Sequence, residues 1–192
     1  MRRDFLVFSA VAIFALTGCA DDRRLSQLSD FVPTKFSETR PSPLLHAIAV
    51  GETSGGAGMF NTTDIRDGDF VTIMTGILQR NALLAAPGAA RWHIDSVLDF
   101  DVPASTFGDQ IIKAKIRYVL RDTATGAAVF EQVVTASSTR ETMSAGAEVG
   151  MFVLVGGMVG QQRRVNAVDT AVRANLDGFL TALAAWDAAR QQ

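Results

Sequence analysis

The sequence predicts a single α+β domain in the order β-α-β-β-β-α: a mainly antiparallel sheet with two helices packed on one face. Two alternating stretches and a C-terminal amphipathic stretch carry this prediction: residues 91–103, Gln110–Arg121 and Arg163–Arg190. In the first two, apolar side chains alternate with charged ones, which is typical of half-buried strands. Because the charged face is wet, both helices are expected to cover the apolar face.

The first elements of the domain are a short strand and a helix. Leu44–Val50 is an apolar run that indicates a buried strand, and a glycine-rich loop, Gly51–Gly58, follows it. From Asp67 to Leu84 apolar residues recur with the helical period, after an acidic start that suits the helix dipole. Gly76 inside this helix predicts a close packing contact, since glycine costs about 1 kcal/mol there relative to alanine.

The two alternating strands predict a hairpin in which paired residue numbers sum to about 212, and a third strand, Ala127–Thr139, completes the meander. Asp99 would then face Lys113, and Asp95 would face Arg117. The apolar pairs of this register are Phe100 with Ile112 and Ile94 with Tyr118. A shift of one residue would exchange core for solvent, so the faces are strongly specified.

The polar side of this hairpin has two interpretations. The simpler one is a solvated sheet face on which opposite charges are matched. The functional one is a docking face for a charged partner, made of Asp95, Asp99, Lys113, Lys115 and Arg117.

The N-terminus predicts export and lipidation. A basic start and an apolar run too short to span a bilayer predict a signal peptide over residues 1–18. Leu16-Thr17-Gly18-Cys19 resembles the lipobox of bacterial lipoproteins, which implies cleavage between Gly18 and Cys19 and acylation of the cysteine. Cys19 is the only cysteine in the chain, so no disulfide is expected.

The same resemblance implies a location. Ala20, rather than an aspartate, follows the cysteine. In lipoproteins of this kind that favours the outer membrane, with the domain facing the periplasm and the inner membrane or the cell surface as alternatives. Residues 19–43 are predicted to be the lipidated cysteine and a tether, and residues 44–192 the single domain.

Composition and motifs favour a protein without catalysis. The formal net charge is −2, and removal of the signal makes it one unit more negative, which argues against a nucleic-acid partner. Ala57 stands where a phosphate-binding loop needs lysine, and no G-x-S-x-G occurs. His46 and His93 have no neighbouring ligand in sequence. We expect no catalytic residue, metal or cofactor; a small-molecule binder or enzyme using Gly51–Gly58 is the alternative.

Gly150–Gly160 (GMFVLVGGMVG) is apolar throughout and rich in glycine. It predicts a link between the meander and the last helix, with three possible roles: a core segment, a contact surface for a partner or a second copy, or a membrane contact. A lone strand cannot sit in lipid, which weakens the last role. The expected partner contacts are Met151, Phe152, Leu154 and Met158. An oligomeric outer-membrane assembly built on this stretch is a further alternative function.

The lipobox and the element order together resemble small periplasmic α/β lipoproteins. These include, in architecture only, the auxiliary lipoproteins of ABC-type lipid transporters and the lipopolysaccharide-assembly lipoprotein. The run W-x-I-D…F-D-x-P…I-K-A-K-I-R-Y-x-L-x-D-x-x-T-G, from Trp92 to Gly126, is similar to uncharacterised proteobacterial lipoproteins. The resemblance implies a lipid-anchored periplasmic adaptor, or an assembly or transport accessory, with an envelope protein as partner.

Overall fold

The computed structural model describes residues 28–30, 32–39, 41–56, 65–103, 110–140 and 152–192, with the backbone alone at 140 and 152–164. Its main elements are β1 (Ile48–Ser54), α1 (Asp67–Arg80), β2 (Trp92–Asp101), β3 (Gln110–Asp122), β4 (Ala128–Arg140) and α2 (Phe152–Ala189). The predicted α+β class and the order β-α-β-β-β-α are therefore confirmed.

The four strands form one sheet in the order β1-β2-β3-β4. β1 and β2 are parallel and are joined through α1, whereas β2–β3 and β3–β4 are antiparallel. Tyr118 on β3 contacts both helices: its ring centroid lies 6.5 Å from that of Phe70 on α1 and 4.2 Å from that of Phe179 on α2. Both helices thus cover the same face of the sheet, as predicted.

The β2–β3 register differs from the predicted one by two residues. Asp99 lies opposite Lys115, not Lys113, and Val97 lies opposite Arg117. The apolar pairs shift in the same way, so that Phe100 faces Ala114 and Ile94 faces Leu120. The prediction failed for a physical reason: side chains alternate with a period of two, so a shift of two keeps every residue on its face.

β1 begins later than predicted, because the chain reverses direction before it. His46 is exposed and has a φ of 53°, and the strand starts at Ile48, which pairs with Trp92. α1 ends at Arg80 rather than near Leu84. There the buried Asn81 side chain donates from Nδ2 to the Ile77 carbonyl at 2.9 Å, and the next residue takes a left-handed φ of 54°.

One polar group in the core joins α2 to two strands. The Asn175 side chain is fully buried, and its Oδ1 accepts from the Tyr118 hydroxyl at 2.8 Å. Its Nδ2 lies 2.8 Å from the Ala114 carbonyl and 2.7 Å from the Val134 carbonyl. Burial raises the pKa of Tyr118 well above its ordinary value. This node fixes α2 over the space between β3 and β4.

Part of the predicted tether packs into the domain. Leu28 and Val32 are buried in the hydrophobic core. Asn81 Oδ1 accepts from the backbone N–H of Lys35 at 2.8 Å and of Phe36 at 3.2 Å. Lys35 also pairs with Asp177 on α2 at 3.0 Å. The segment that leads into the domain therefore lies on the helix-covered side of the sheet.

The close packing contact predicted at Gly76 is confirmed, and it involves the same segment. A Cβ at Gly76 would lie 2.8 Å from Ser29 Oγ and 3.0 Å from Ser29 Cβ. The Arg80 guanidinium donates to the Ser29 carbonyl. The lack of a side chain at Gly76 thus lets residues 28–30 rest directly on α1.

Candidate docking face and membrane tether

The open face of the sheet, on the side away from both helices, carries the odd-numbered residues of β2, β3 and β4. No helix covers it within the described part of the chain. All five residues of the predicted docking face lie here, and the four other than Asp95 are well exposed: Asp99, Lys113, Lys115 and Arg117. The structure therefore brings the predicted residues together on one surface.

Two of the ion pairs on the open face are tight and two are loose. Arg121 Nε lies 2.8 Å from Asp95 Oδ2, and Arg117 Nε lies 2.8 Å from Glu131 Oε1 on β4. The lysine pairs, by contrast, are long: 3.8 Å between Lys115 and Asp99, and 3.9 Å between Lys113 and Asp101. Such exposed pairs contribute about 0–1 kcal/mol each. The lysine end of the face can therefore exchange its internal contacts for those of a partner at little cost.

Arg121 and Glu131 were not among the predicted docking residues. That prediction paired Asp95 with Arg117, but the two-residue shift places Asp95 opposite Val119. Arg121, two residues further along β3, reaches Asp95 diagonally, and Arg117 pairs with Glu131 on β4. The alternation along β4 did place Glu131 on the open face, because it is odd-numbered like the charged residues of β2 and β3. Its pairing with Arg117 could not be predicted without the β3–β4 register.

The open face also carries exposed apolar side chains. Val97, Ile111 and Val133 are 44%, 55% and 44% exposed, and all three lie on this face. Val97 and Val133 are the neighbours of Arg117 on either side, in one row across three strands. The row therefore combines one charged and two apolar side chains, and arginine is a residue enriched in protein interfaces.

Asp95 differs from the other residues of the predicted docking face because its side chain accepts a hydrogen bond from β1. Its Oδ1 accepts from the Glu52 N–H at 2.9 Å, and a Cβ at Gly51 would lie only 2.2 Å from the same oxygen. Gly51 is therefore required for the close approach of β1 to Asp95. The carboxylate thus links β1, β2 and Arg121, and Asp95 has a structural role within the open face.

The pH dependence of stability should report the Arg117–Glu131 pair. The hydrogen bond and the charge of Arg117 lower the pKa of Glu131 below its ordinary 4.5, and the same contact raises the pKa of Arg117. A lowered carboxyl pKa contributes stability that is present above the unfolded value and is lost as pH falls through the folded value. Denaturant melts should show Glu131→Gln less stable than the wild type at neutral pH, and the difference should shrink as pH falls below 4.5 and through the lowered pKa of Glu131. A constant difference across this range would contradict the assignment.

The alternative site at Gly51–Gly58 is only partly a loop. Gly51–Ser54 belongs to β1, and the Gly56 N–H donates to Asp67 Oδ1 at 2.7 Å. Residues 57–64, which include Gly58, lie outside the described residues. In the part that is described, close backbone contacts account for the glycines of this stretch.

Neither histidine joins a cluster of ligands. His46 Nε2 lies 3.3 Å from the exposed Glu38, and His93 Nδ1 lies 3.1 Å from the Thr123 hydroxyl. Among the described residues, no group of three or more His, Cys, Asp or Glu side chains is placed to hold a metal ion.

The apolar stretch Gly150–Gly160 is largely helical. α2 begins at Phe152, so the predicted link forms the first turns of the last helix, which was predicted to begin at Arg163. Once the downstream helix exists, each added residue gains a hydrogen bond, and propagation tolerates the glycines. Gly150 and Met151 lie outside the described residues, as do the side chains of Phe152, Leu154 and Met158. Across the described chain, no helix combines the length and apolarity needed to cross a membrane.

The predicted cleavage and lipidation residues, Gly18 and Cys19, also lie outside the described residues. Covalent geometry still limits their distance from the domain. The chain from Cys19 to the buried Leu28 can span at most about 30 Å when fully extended. A lipid on Cys19 would therefore hold Leu28 within about 30 Å of the membrane.

No protein-family model matches the chain, and no curated protein sequence matches it. Solved structures of several bacterial proteins align with much of the chain, with TM-scores below 0.5. A Caulobacter crescentus protein described as a lipoprotein matches 72% of this chain and 90% of its own, with 16% identity and a TM-score of 0.42. A Xanthomonas campestris protein of the DUF330 family matches 81% and 90%, with 10% identity and a TM-score of 0.45. A minor lipoprotein of Acinetobacter baumannii matches 78% and 96%, with 12% identity and a TM-score of 0.43.

Proposed function

We propose that this protein is a non-catalytic adaptor lipoprotein of the cell envelope, which holds a protein partner close to the membrane on the open face of its sheet. The observation that carries the proposal is the open face itself. It combines loosely paired lysines, a row of arginine between two exposed valines, and no covering helix in the described chain. Charged side chains on such a surface give specificity and a fast association rate.

The tether supports the adaptor role. Three acyl chains on Cys19 would exceed the two signals needed for stable anchoring. The reach of about 30 Å to Leu28 then keeps the domain next to the lipid surface. Ala20 after the lipidated cysteine favours the outer membrane, with the domain in the periplasm. A partner that binds the open face would accordingly be an envelope protein at the same membrane.

An exchange of charges within one ion pair tests the docking face. The double variant Asp99→Lys/Lys115→Asp keeps an ion pair between β2 and β3, so the melting temperature should stay within a few degrees of the wild type. The charge pattern offered to a partner is reversed, however. Capture of the partner after mild cross-linking of intact cells should fall by about tenfold or more, equivalent to about 1.4 kcal/mol.

A matched control comes from the opposite side of the molecule. Lys35→Asp/Asp177→Lys exchanges the charges of an ion pair on the helix side, and it should leave partner capture unchanged. Equal capture by the docking-face exchange and the wild type would contradict the proposed function. Recovery of the wild-type protein alone, without any partner, would contradict it as well.

A further inference from the structure

The outer edge of β4 is a long strand edge that no other strand of the described chain pairs with. β4 is the last strand in the sheet order, and it runs from Ala128 to Arg140. Between Glu131 and Arg140 its sequence is QVVTASST, with no charge and no proline. Natural proteins normally blunt such edges with lysine, proline, bulges or short strands, because a bare edge is a template for pairing with another chain.

The contacts of Asn175 show which backbone groups face outward. One nitrogen, Asn175 Nδ2, is within 2.8 Å of both the Ala114 and the Val134 carbonyls, so both carbonyls must lie between β3 and β4. Even-numbered residues of β4 therefore make the ladder with β3. By the alternation of antiparallel strands, the N–H and C=O groups of Val133, Thr135 and Ser137 point to the free edge. Within that row, the Gln132 side chain donates to the Val133 carbonyl.

The helix-side residues of β4 are also incompletely covered. Gln132, Val134, Ala136 and Ser138 are only half-buried, whereas the corresponding residues of β3, Ile112, Ala114 and Ile116, are at most 1% exposed. A strand added along the edge would form hydrogen bonds with the outward-facing N–H and C=O groups and would also cover these side chains.

The described ends of β4 and α2 can be placed relative to this edge. The ring of Trp186 on α2 packs at a tilt against that of Phe130, and Asn175 contacts the Val134 carbonyl, so α2 runs antiparallel to β4. From Asn175 back to Phe152 the helix extends about 35 Å. From Val134 to its end at Arg140, β4 extends only about 20 Å. Arg140 and Phe152 thus lie at or beyond the C-terminal end of β4, and neither residue flanks its edge.

We propose that the β4 edge pairs antiparallel with the β4 edge of a second copy of this chain, which joins two four-stranded sheets into one continuous sheet. The uncharged centre of β4 makes self-pairing possible, because no like charges face each other there and threonine and serine pair well across strands. The only charged residues of the strand, Glu131 and Arg140, have opposite signs and lie toward opposite ends, so antiparallel pairing keeps like charges apart.

The pairing also fixes an orientation at the membrane, and this consequence rests on the proposed lipid anchor. Two antiparallel edge strands are related by a two-fold axis perpendicular to the sheet. Both lipids enter one membrane, so the axis lies along the membrane normal. Residues 28–30 and 32–39 lie on the helix side, which then faces the lipid. The two open faces form one surface directed away from the membrane.

Cross-linking of the acylated protein in intact membranes tests the pairing. A Thr135→Cys chain, treated with a short bismaleimide, should give a cross-linked dimer of the chain in high yield, because its cysteine lies near the two-fold axis. With Cys19 acylated, the introduced cysteine is the only free thiol. Val97→Cys is the matched control: it lies on the same face, two strands away from the edge, and should give little dimer.

A second variant tests whether the free edge can be blocked while the domain stays folded. In the Thr135→Cys chain, Ser137→Pro removes an outward N–H that is not part of the β3–β4 ladder, and proline is tolerated on such edges. It should abolish the dimer while circular dichroism and thermal melting show a folded domain. Cross-linking of Thr135→Cys no stronger than that of Val97→Cys, a dimer that survives Ser137→Pro, or an adduct with a different protein would each overturn the proposal. Because partner capture is not measured, its failure is distinct from a failure of the docking face.

Discussion

Asn175→Leu should be among the most destabilising single substitutions in the described domain. It leaves the Tyr118 hydroxyl fully buried with no acceptor at the place of Asn175 Oδ1. An unsatisfied buried polar group costs about 1–3 kcal/mol, and the contacts to β3 and β4 are lost as well. We expect about 3 kcal/mol in denaturant melts, or a fall in melting temperature of about 6–12 °C.

The partner substitution supplies the control for this node. In the double variant Asn175→Leu/Tyr118→Phe both polar groups are gone, and replacement of both partners by apolar groups is often nearly neutral. The double variant should therefore recover a large part of the stability lost by Asn175→Leu. If the double variant instead lost as much stability as Asn175→Leu and Tyr118→Phe together, the hydrogen bond between Tyr118 and Asn175 would not be what joins α2 to the sheet.

The largest expected effect on location comes from the lipid. A chain in which residues 1–18 are replaced by a signal cut by ordinary signal peptidase, with Cys19→Ser, should leave the membrane fraction almost completely. Under the proposed function, the acyl chains on Cys19 supply the anchoring, so their loss releases the protein. Fractionation with detection of the protein measures this directly. Its thermal melt should match that of the acylated protein, because Leu28 and the core remain in place.

The length of the tether has a separate effect. In a lipidated chain with a long Gly/Ser insertion after Gln27, the protein should stay in the membrane fraction, but the domain would no longer be held within about 30 Å of the lipid. Capture of a partner at the same membrane should then fall, since the effective concentration declines as a linker grows. A chain that remains membrane-bound without Cys19 would contradict the anchor. Unchanged capture with the long insertion would contradict the short tether.

The faces of the sheet could be predicted because they depend on local alternation. The exposure of Asp99 and the burial of Ile94 follow from their odd and even positions along one strand. The pairing of Asp99 with Lys115 cannot be predicted in this way, because a shift of two residues leaves every side chain on its face and only the geometry of the connecting loop chooses the register. The candidate docking face was accordingly predicted as a set, while its individual ion pairs were not.

Other features depend on contacts between distant parts of the chain. Leu28 and Val32 stand in a polar stretch, and only the space beside α1, opened by Gly76, makes them part of the core. Asn175 interrupts the apolar stripe of α2, and such a break is a signal of a buried polar contact. Its partner, Tyr118, lies on another element and could not be identified from periodicity.

Site-specific photo-cross-linking in intact cells tests the adaptor role most directly. A photoreactive residue at Val97, in the middle of the open face, should give one discrete adduct with a second envelope protein. The adduct should be absent with the same residue at the exposed Thr181 on α2, and it should disappear in the Asp99→Lys/Lys115→Asp background. No adduct at Val97, or equal adducts at Val97 and Thr181, would contradict a docking function for the open face.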